Sequence, residues 1–143
     1  MKNVAELLKT KPSRLVSVKP EDSVLDAIKL MATENIGAAI VMSGDRLVGI
    51  FSERDYARKV VLKGRSSEAT RVEEIMTANV VCVSPRAKRR ECMTLMSEKN
   101  IRHLPVVDEG RVVGMVSIRD IVTDIIADQD FTIGQLENYI SGQ

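Results

Sequence analysis

Two seven-residue stretches hold the side chains best suited to chemistry: Gly49-Ile50-Phe51-Ser52-Glu53-Arg54-Asp55 and Gly114-Met115-Val116-Ser117-Ile118-Arg119-Asp120. Each sets a strand end against a helix start, where unpaired backbone N–H groups and the helix dipole favour anions. Serine adds a hydroxyl and arginine a forked cation suited to phosphate. Aspartate adds a carboxylate that can accept from a pair of sugar hydroxyls. That set suits a ribonucleotide. Ser-x-x-Asp is also close to a helix-capping box, worth about 1 kcal/mol of stability. Capping does not require arginine at the second helical position, where a cation opposes the dipole. Its presence in both copies asks for a further reason.

A second constellation is Asn100-Ile101-Arg102-His103-Leu104-Pro105-Val106, matched by Asn35-Ile36-Gly37-Ala38-Ala39-Ile40-Val41. Small residues in the first copy leave room for a flat ring. Arg102 and His103 in the second can meet an anion, or His103 can be a satisfied, half-buried core residue. It is the only histidine, so a His-rich metal site is excluded and no metal is expected. The basic run Arg86-Ala87-Lys88-Arg89-Arg90 begins a helix, where cations are unfavourable, and reads as a solvated face. Catalysis finds little support. There is no Gly-x-Ser-x-Gly elbow, P-loop or Gly-x-Gly-x-x-Gly, and neither Cys82 nor Cys92 has an activating motif nearby.

The elements that must carry these groups come as a repeat. Sliding the chain by 65 residues lays Val16–Tyr56 on Val81–Ile121 with 14 identities in 41 positions and no gap. Each copy reads strand, helix, strand, strand, helix. Val16 and Val18 alternate with polar residues, and Pro20 ends that strand. Asp22 or Ser23 caps a helix with Val24, Ala27, Ile28 and Met31 at helical spacing. Gly37–Met42 and Arg46–Phe51 form a hairpin around Ser43-Gly44-Asp45. Ser52 opens a helix through Leu62, stopped by Gly64. Asn3-x-x-Glu6 and Thr70-x-x-Glu73 read as short capped helices before each copy. Thr132-x-x-Gln135 reads as the cap of a tail helix with Ile133, Leu136, Tyr139 and Ile140, which needs either its own domain or a second subunit to lie on. The expected organisation is 1–69 for the first repeat with its N-terminal helix and linker, 70–128 for the second, and 129–143 for the tail.

Composition narrows the function classes. The 143 residues are 44% hydrophobic and only 3% aromatic, so the core is aliphatic and stacking platforms for single-stranded nucleic acid are not expected. Lys plus Arg is 21 against 20 Asp plus Glu, a balance unlike that of a nucleic-acid coat. No apolar run approaches the ~18 residues of a membrane span, and the start lacks a secretory pattern. The expectation is a soluble, cytoplasmic protein with two free cysteines.

The repeat, Ile101-Arg102-His103-Leu104-Pro105-Val106 and the doubled Gly-x-x-Ser-x-x-Asp resemble a tandem pair of CBS domains, the Bateman module, over Val4–Asp128. The tail is similar to that of small stand-alone bacterial members. The resemblance implies an α/β fold of α+β type, with two β-α-β-β-α repeats packed about a pseudo-twofold axis. It implies a sensor rather than an enzyme, binding an adenosine-containing ligand between the repeats: AMP first, then ADP, ATP, NAD(H) or S-adenosylmethionine. It also implies a homodimer and an effector protein yet to be named. Asp55 and Asp120 would hold ribose hydroxyls, with Ser52, Arg54, Ser117 and Arg119 near ribose or phosphate. The Asp55 cleft would draw on Thr77, Val81, Ile101, Arg102 and His103. The Asp120 cleft would draw on Thr10, Val16, Ile36, Gly37 and Ala38. Because only the second copy supplies Arg102, the clefts should be unequal, with the one beside Arg102 the better anion binder. A constitutive interaction protein with purely capping motifs remains the alternative.

Overall fold

The computed structural model describes residues 2–10 and 15–140. Helix α1 (Val4–Lys9) is capped by Asn3, whose side chain accepts from the Glu6 N–H. Strand β1 (Ser17–Val18) leads to α2 (Val24–Glu34), capped by Ser23. The hairpin β2 (Ala38–Ser43) and β3 (Arg46–Ser52) follows. Helix α3 (Glu53–Tyr56) runs on as one wider π-helical turn over Ala57–Val61, and Gly64 after it takes a left-handed φ of 66°. Then come α4 (Val72–Ile75), α5 (Arg89–Lys99), the hairpin β4 (His103–Asp108) and β5 (Arg111–Ser117), and α6 (Ile118–Ile140). The result is mixed helix and strand around two small sheets, ordered β1-β2-β3 and β4-β5.

Three local expectations are corrected. The strand expected at Val81–Val83 is reduced to a single parallel bridge, Val83 to Val106. Val83 donates to the Pro105 carbonyl at 3.0 Å and accepts from Val107 at 2.8 Å. Extending that ladder needs residue 105 to donate to Val81, and proline has no N–H. In the first copy Ile40 stands there, and β1 pairs over two residues. The cap of α4 falls on Arg71 rather than Thr70: the Glu74 carboxylate accepts from the Arg71 N–H at 2.7 Å. Thr70 is buried, and its carbonyl accepts from Val24. No new helix starts at Thr132, because α6 is continuous from Ile118 to Ile140. Gly142 and the side chains of Thr132, Gln135, Tyr139 and Ile140 lie outside the described residues.

The two cores exchange their leading helices. The first holds Val18, Val24, Met31, Ala39, Val41, Phe51 and Val60, together with Val72 and Ile75 of α4. The second holds Val83, Cys92, Met96, Leu104, Val106, Val116 and Ile121, together with Val4 and Leu7 of α1. The N-terminal helix therefore packs with the second repeat, not the first. Reciprocal backbone bonds hold the exchange: Val72 and Glu73 donate to the Asp22 and Pro20 carbonyls, and Val4 and Ala5 donate to those of Ala87 and Pro85. These acceptors are repeat equivalents, as a twofold relation between the halves requires.

Two glycines allow the close approach. A Cβ on Gly49 would lie 3.1 Å from the Thr77 carbonyl oxygen and 2.5 Å from the Met76 sulfur, and one on Gly114 would lie 2.9 Å from a Leu8 methyl. Met76 and Leu8 are flexible, but the Thr77 carbonyl is held by its pairing with Ile50. Gly49→Val should therefore lower stability by about 2 kcal/mol or more, read from urea denaturation. An unchanged midpoint would show that α4 can shift freely.

The basic run is not simply a solvated face. Arg89 donates to both Asp124 and Asp128 of α6, and Lys2 joins Asp124 at 2.7 Å. Asp124 is buried, with its side chain 8% exposed. The two carboxylates answer the unfavourable placement of Arg89 at the start of α5. Arg86 lies 3.8 Å from Asp108.

Candidate functional site

The order of elements brings the Ser-x-Arg-Asp helix start of the first repeat to the α5–β4 junction of the second. At the head of α3 the Ser52 side chain accepts from the Asp55 N–H, and Asp55 Oδ2 accepts from the Ser52 N–H and hydroxyl, each at 3.0 Å. The capping box is real and fixes the aspartate rotamer. The other oxygen, Oδ1, faces away from the cap. It meets the Thr77 hydroxyl at 3.4 Å and Lys59 Nζ at 3.1 Å. Lys59 also donates to the Ile75 carbonyl. One carboxylate thus caps the helix and presents an acceptor to the cleft.

Thr77 is held there by a two-way backbone pairing with Ile50, both bonds 2.9 Å. That pairing is why Gly49 carries no side chain. The far wall is made where α5 ends. Asn100 caps α5 in the left-handed conformation, φ 53°, and its carbonyl accepts from Arg54 Nη1 at 3.0 Å. Arg54 is thereby a strut between the repeats, with donors left over from its five. Beyond Asn100, the Arg102 carbonyl accepts from the Ile118 N–H at 2.9 Å, as that of Gly37 does from Glu53 at 3.0 Å. A Cβ on Gly37 would sit 3.3 Å from Glu53 Oε1 and in ordinary contact, at 3.5 Å, with the His103 ring, which places both side chains beside this backbone.

Together these residues bound a cleft of about 700 Å³, a size that suits a small ligand. Ser52, Arg54, Asp55, Thr77, Ile101, Arg102 and His103 all line it. Val81 is not in the lining; it packs against the second core. Gly37, assigned from sequence to the Asp120 side, lines the Asp55 cleft instead, because its carbonyl is tied to the start of α3. The lining also contains Arg58, Lys59 and Lys99, which the sequence reading missed. Arg58 and Lys59 follow Arg54 and Asp55 by one helical turn, the spacing that places them on the same face.

Around Asp120 the cap is repeated: Asp120 Oδ2 accepts from the Ser117 N–H at 2.8 Å and the Ser117 hydroxyl accepts from the Asp120 N–H at 3.1 Å. Arg119 is exposed. Thr10 donates its hydroxyl to the Leu7 carbonyl, Val16 is half-buried, Ile36 packs on the first core, and Ala38 is fully buried at the start of β2. Among the described residues no group of three or more His, Cys, Asp or Glu could hold a metal ion. Both cysteines are free. Burial pushes the Cys92 thiol up, with Glu91 adding to it, away from the thiolate a nucleophile needs.

This pair of interlocked repeats with a cleft between them is a CBS domain pair, a regulatory module, and the chain belongs to the CBS domain family: the family's profile matches residues 4–62 and 72–127. Among solved structures, the chain is 55% identical to a protein with CBS domains from Burkholderia ambifaria MC40-6, with a TM-score of 0.87 over 90% of this chain and 96% of that one. It is 40% identical to the mitochondrial CBS domain-containing protein CBSX3 of Arabidopsis thaliana, over 85% of this chain. The chain spans 62% of that plant protein's length. The CBS domain pair of protein MJ0100, solved in complex with 5'-methylthioadenosine and S-adenosyl-L-methionine, is 28% identical with a TM-score of 0.77, over 87% of this chain and 99% of that one. No helix among the described residues is long and apolar enough to cross a membrane.

Proposed function

We propose that this chain is a sensor that binds an adenosine-containing ligand, one of AMP, ADP, ATP or NAD(H), in the cleft between Asp55 and Arg102. The observation that carries this reading is Asp55 Oδ1. The cap needs only Oδ2, yet Oδ1 is aimed into a cleft whose opposite wall comes from the other repeat. A ribose diol on Asp55 would place phosphate toward Arg102 and the ring toward Ile101 and His103. A ligand touching both repeats favours one relative setting of them over others, with coupling on the scale of about 1–3 kcal/mol. The adenosine ligands of the MJ0100 domain pair support the ligand class.

Output would pass through a homodimer or an effector protein. Val122, Ile126, Ile133 and Leu136 leave an apolar stripe exposed on α6, which supports association. The same stripe favours the second reading, a constitutive interaction module whose Ser-x-x-Asp motifs only cap helices. Free Cys82 and Cys92 suit a reducing compartment such as the cytoplasm.

Calorimetric titration of nucleotide-free protein with AMP, ADP, ATP, NAD⁺, NADH and S-adenosylmethionine tests the sensor reading. Arg102→Ala should weaken the nucleotides about tenfold and leave adenosine nearly untouched. Equal losses for adenosine and nucleotides would remove Arg102 from the phosphate site. No binding at millimolar ligand would leave the interaction module.

A further inference from the structure

The charges around the cleft point to one class among these ligands. The lining carries five cations, Arg54, Arg58, Lys59, Lys99 and Arg102, against two carboxylates, Glu53 and Asp55. Lys59 is paired with Asp55, and Arg54 with the Asn100 carbonyl. The side chains of Arg58, Lys99 and Arg102 have no hydrogen bond or ion pair among the described residues. Three unclaimed cations on the walls of one concavity repel each other, and the low-dielectric walls concentrate their field.

The repeat supplies a comparison inside the same molecule. At the 65-residue offset, Arg58, Lys59, Lys99 and Arg102 become Thr123, Asp124, Glu34 and Gly37; only Arg54 keeps its charge, as Arg119. The positive charge is therefore not a property of the fold. Of the five positions, only that of Arg54 is cationic in both halves.

We propose that the Asp55 cleft is selective for an adenine nucleotide with two or more linked phosphates, the chain of phosphates running from Asp55 along Arg102 to Arg58 and Lys99. This rests on the adenosine reading and narrows it. A monophosphate brings fewer anionic oxygens to these three cations than a di- or triphosphate does. A sulfonium ligand would add positive charge to a wall that already has an excess of it.

The test is titration of the full chain with adenosine, AMP, ADP and ATP, metal-free, at low and high ionic strength. Affinity should rise with each phosphate, with ATP at least about tenfold tighter than AMP at low salt and the gap shrinking as salt is added. The double variant Arg58→Gln/Lys99→Gln should bring ATP down to the level of AMP and leave adenosine unchanged. The charge-matched control Arg46→Gln/Arg111→Gln, at the far ends of β3 and β5, should leave the ranking intact. AMP binding as tightly as ATP, or the control and cleft variants acting alike, would overturn the selectivity while the adenosine reading stands. No binding of even adenosine would overturn both.

Discussion

Asp124→Ala should lower the unfolding free energy by about 3–5 kcal/mol. The side chain is 8% exposed and takes bonds from Lys2 and Arg89, neighbours across the α1–α5 contact, where the Arg89 N–H donates to the Lys2 carbonyl at 3.1 Å. Removing it leaves Arg89, at the uncapped start of α5, without its buried partner. Asp128, with its side chain 45% exposed, is the contrast: Asp128→Ala should cost less than about 1 kcal/mol.

Acid should act as the first substitution does. Burial pushes the Asp124 carboxyl up, but the bonds from Lys2 and Arg89 outweigh it and hold it below the usual carboxylate range. A lowered carboxylate contributes stability that is present above about pH 3.9, its unfolded value. That stability is lost as pH falls through the folded value. Urea denaturation at pH 7 and at descending acid pH would check both statements. The wild type should lose stability on the acid side more steeply than Asp124→Ala. A variant with an unchanged midpoint at pH 7 would show that the cluster contributes nothing net.

Asp55→Asn should weaken every adenosine ligand by about 100-fold. The cleft-facing Oδ1 has lone pairs for the ribose hydroxyls, whereas an amide that keeps its oxygen on the Ser52 N–H turns its NH2, a donor, toward them. The same substitution keeps an oxygen for the Ser52 N–H, so the cost to the cap should stay below the ~1 kcal/mol typical of losing one. Binding and stability therefore separate. Ser52→Ala, measured beside it, should lose the stability of the cap. If Asp55→Asn changes stability but no ligand's affinity, Asp55 is only a cap and the interaction module becomes the better reading. Calorimetry on the same samples used for denaturation makes that decision directly.

Much of this was legible along the chain, because it rests on local geometry. The caps at Asn3, Ser23 and Ser52 lie where short polar side chains precede apolar helical spacing. The hairpins lie where small turn residues separate two apolar runs. Ser52, Arg54, Asp55 and Ile101 of the Asp55 cleft were legible because the repeat marked them twice, and Thr77, Arg102 and His103 because the family resemblance pointed to them. Arg58 and Lys59 were recoverable from helical spacing alone, but Lys99 was not, since nothing local ties the end of α5 to the start of α3.

What the tertiary structure decided was pairing between distant segments. Two similar leading helices and two similar cores admit either match, and sequence order suggests each helix keeps its own repeat. The fold chooses the exchange, through backbone bonds from Val4 to Ala87 and from Val72 to Asp22. The short first strand of the second repeat shows the same limit in miniature. Pro105 is visible in the sequence, but its missing N–H shortens that strand only once Val83 is known to pair beside it. The sequence alone determined the repeat, the order of its elements and the Ser-x-Arg-Asp helix starts, because each depends on residues close together in the chain. The exchange of helices, the partners of Arg89 and the gathering of cations around the Asp55 cleft depend on which surfaces meet, and only the packed cores settle that.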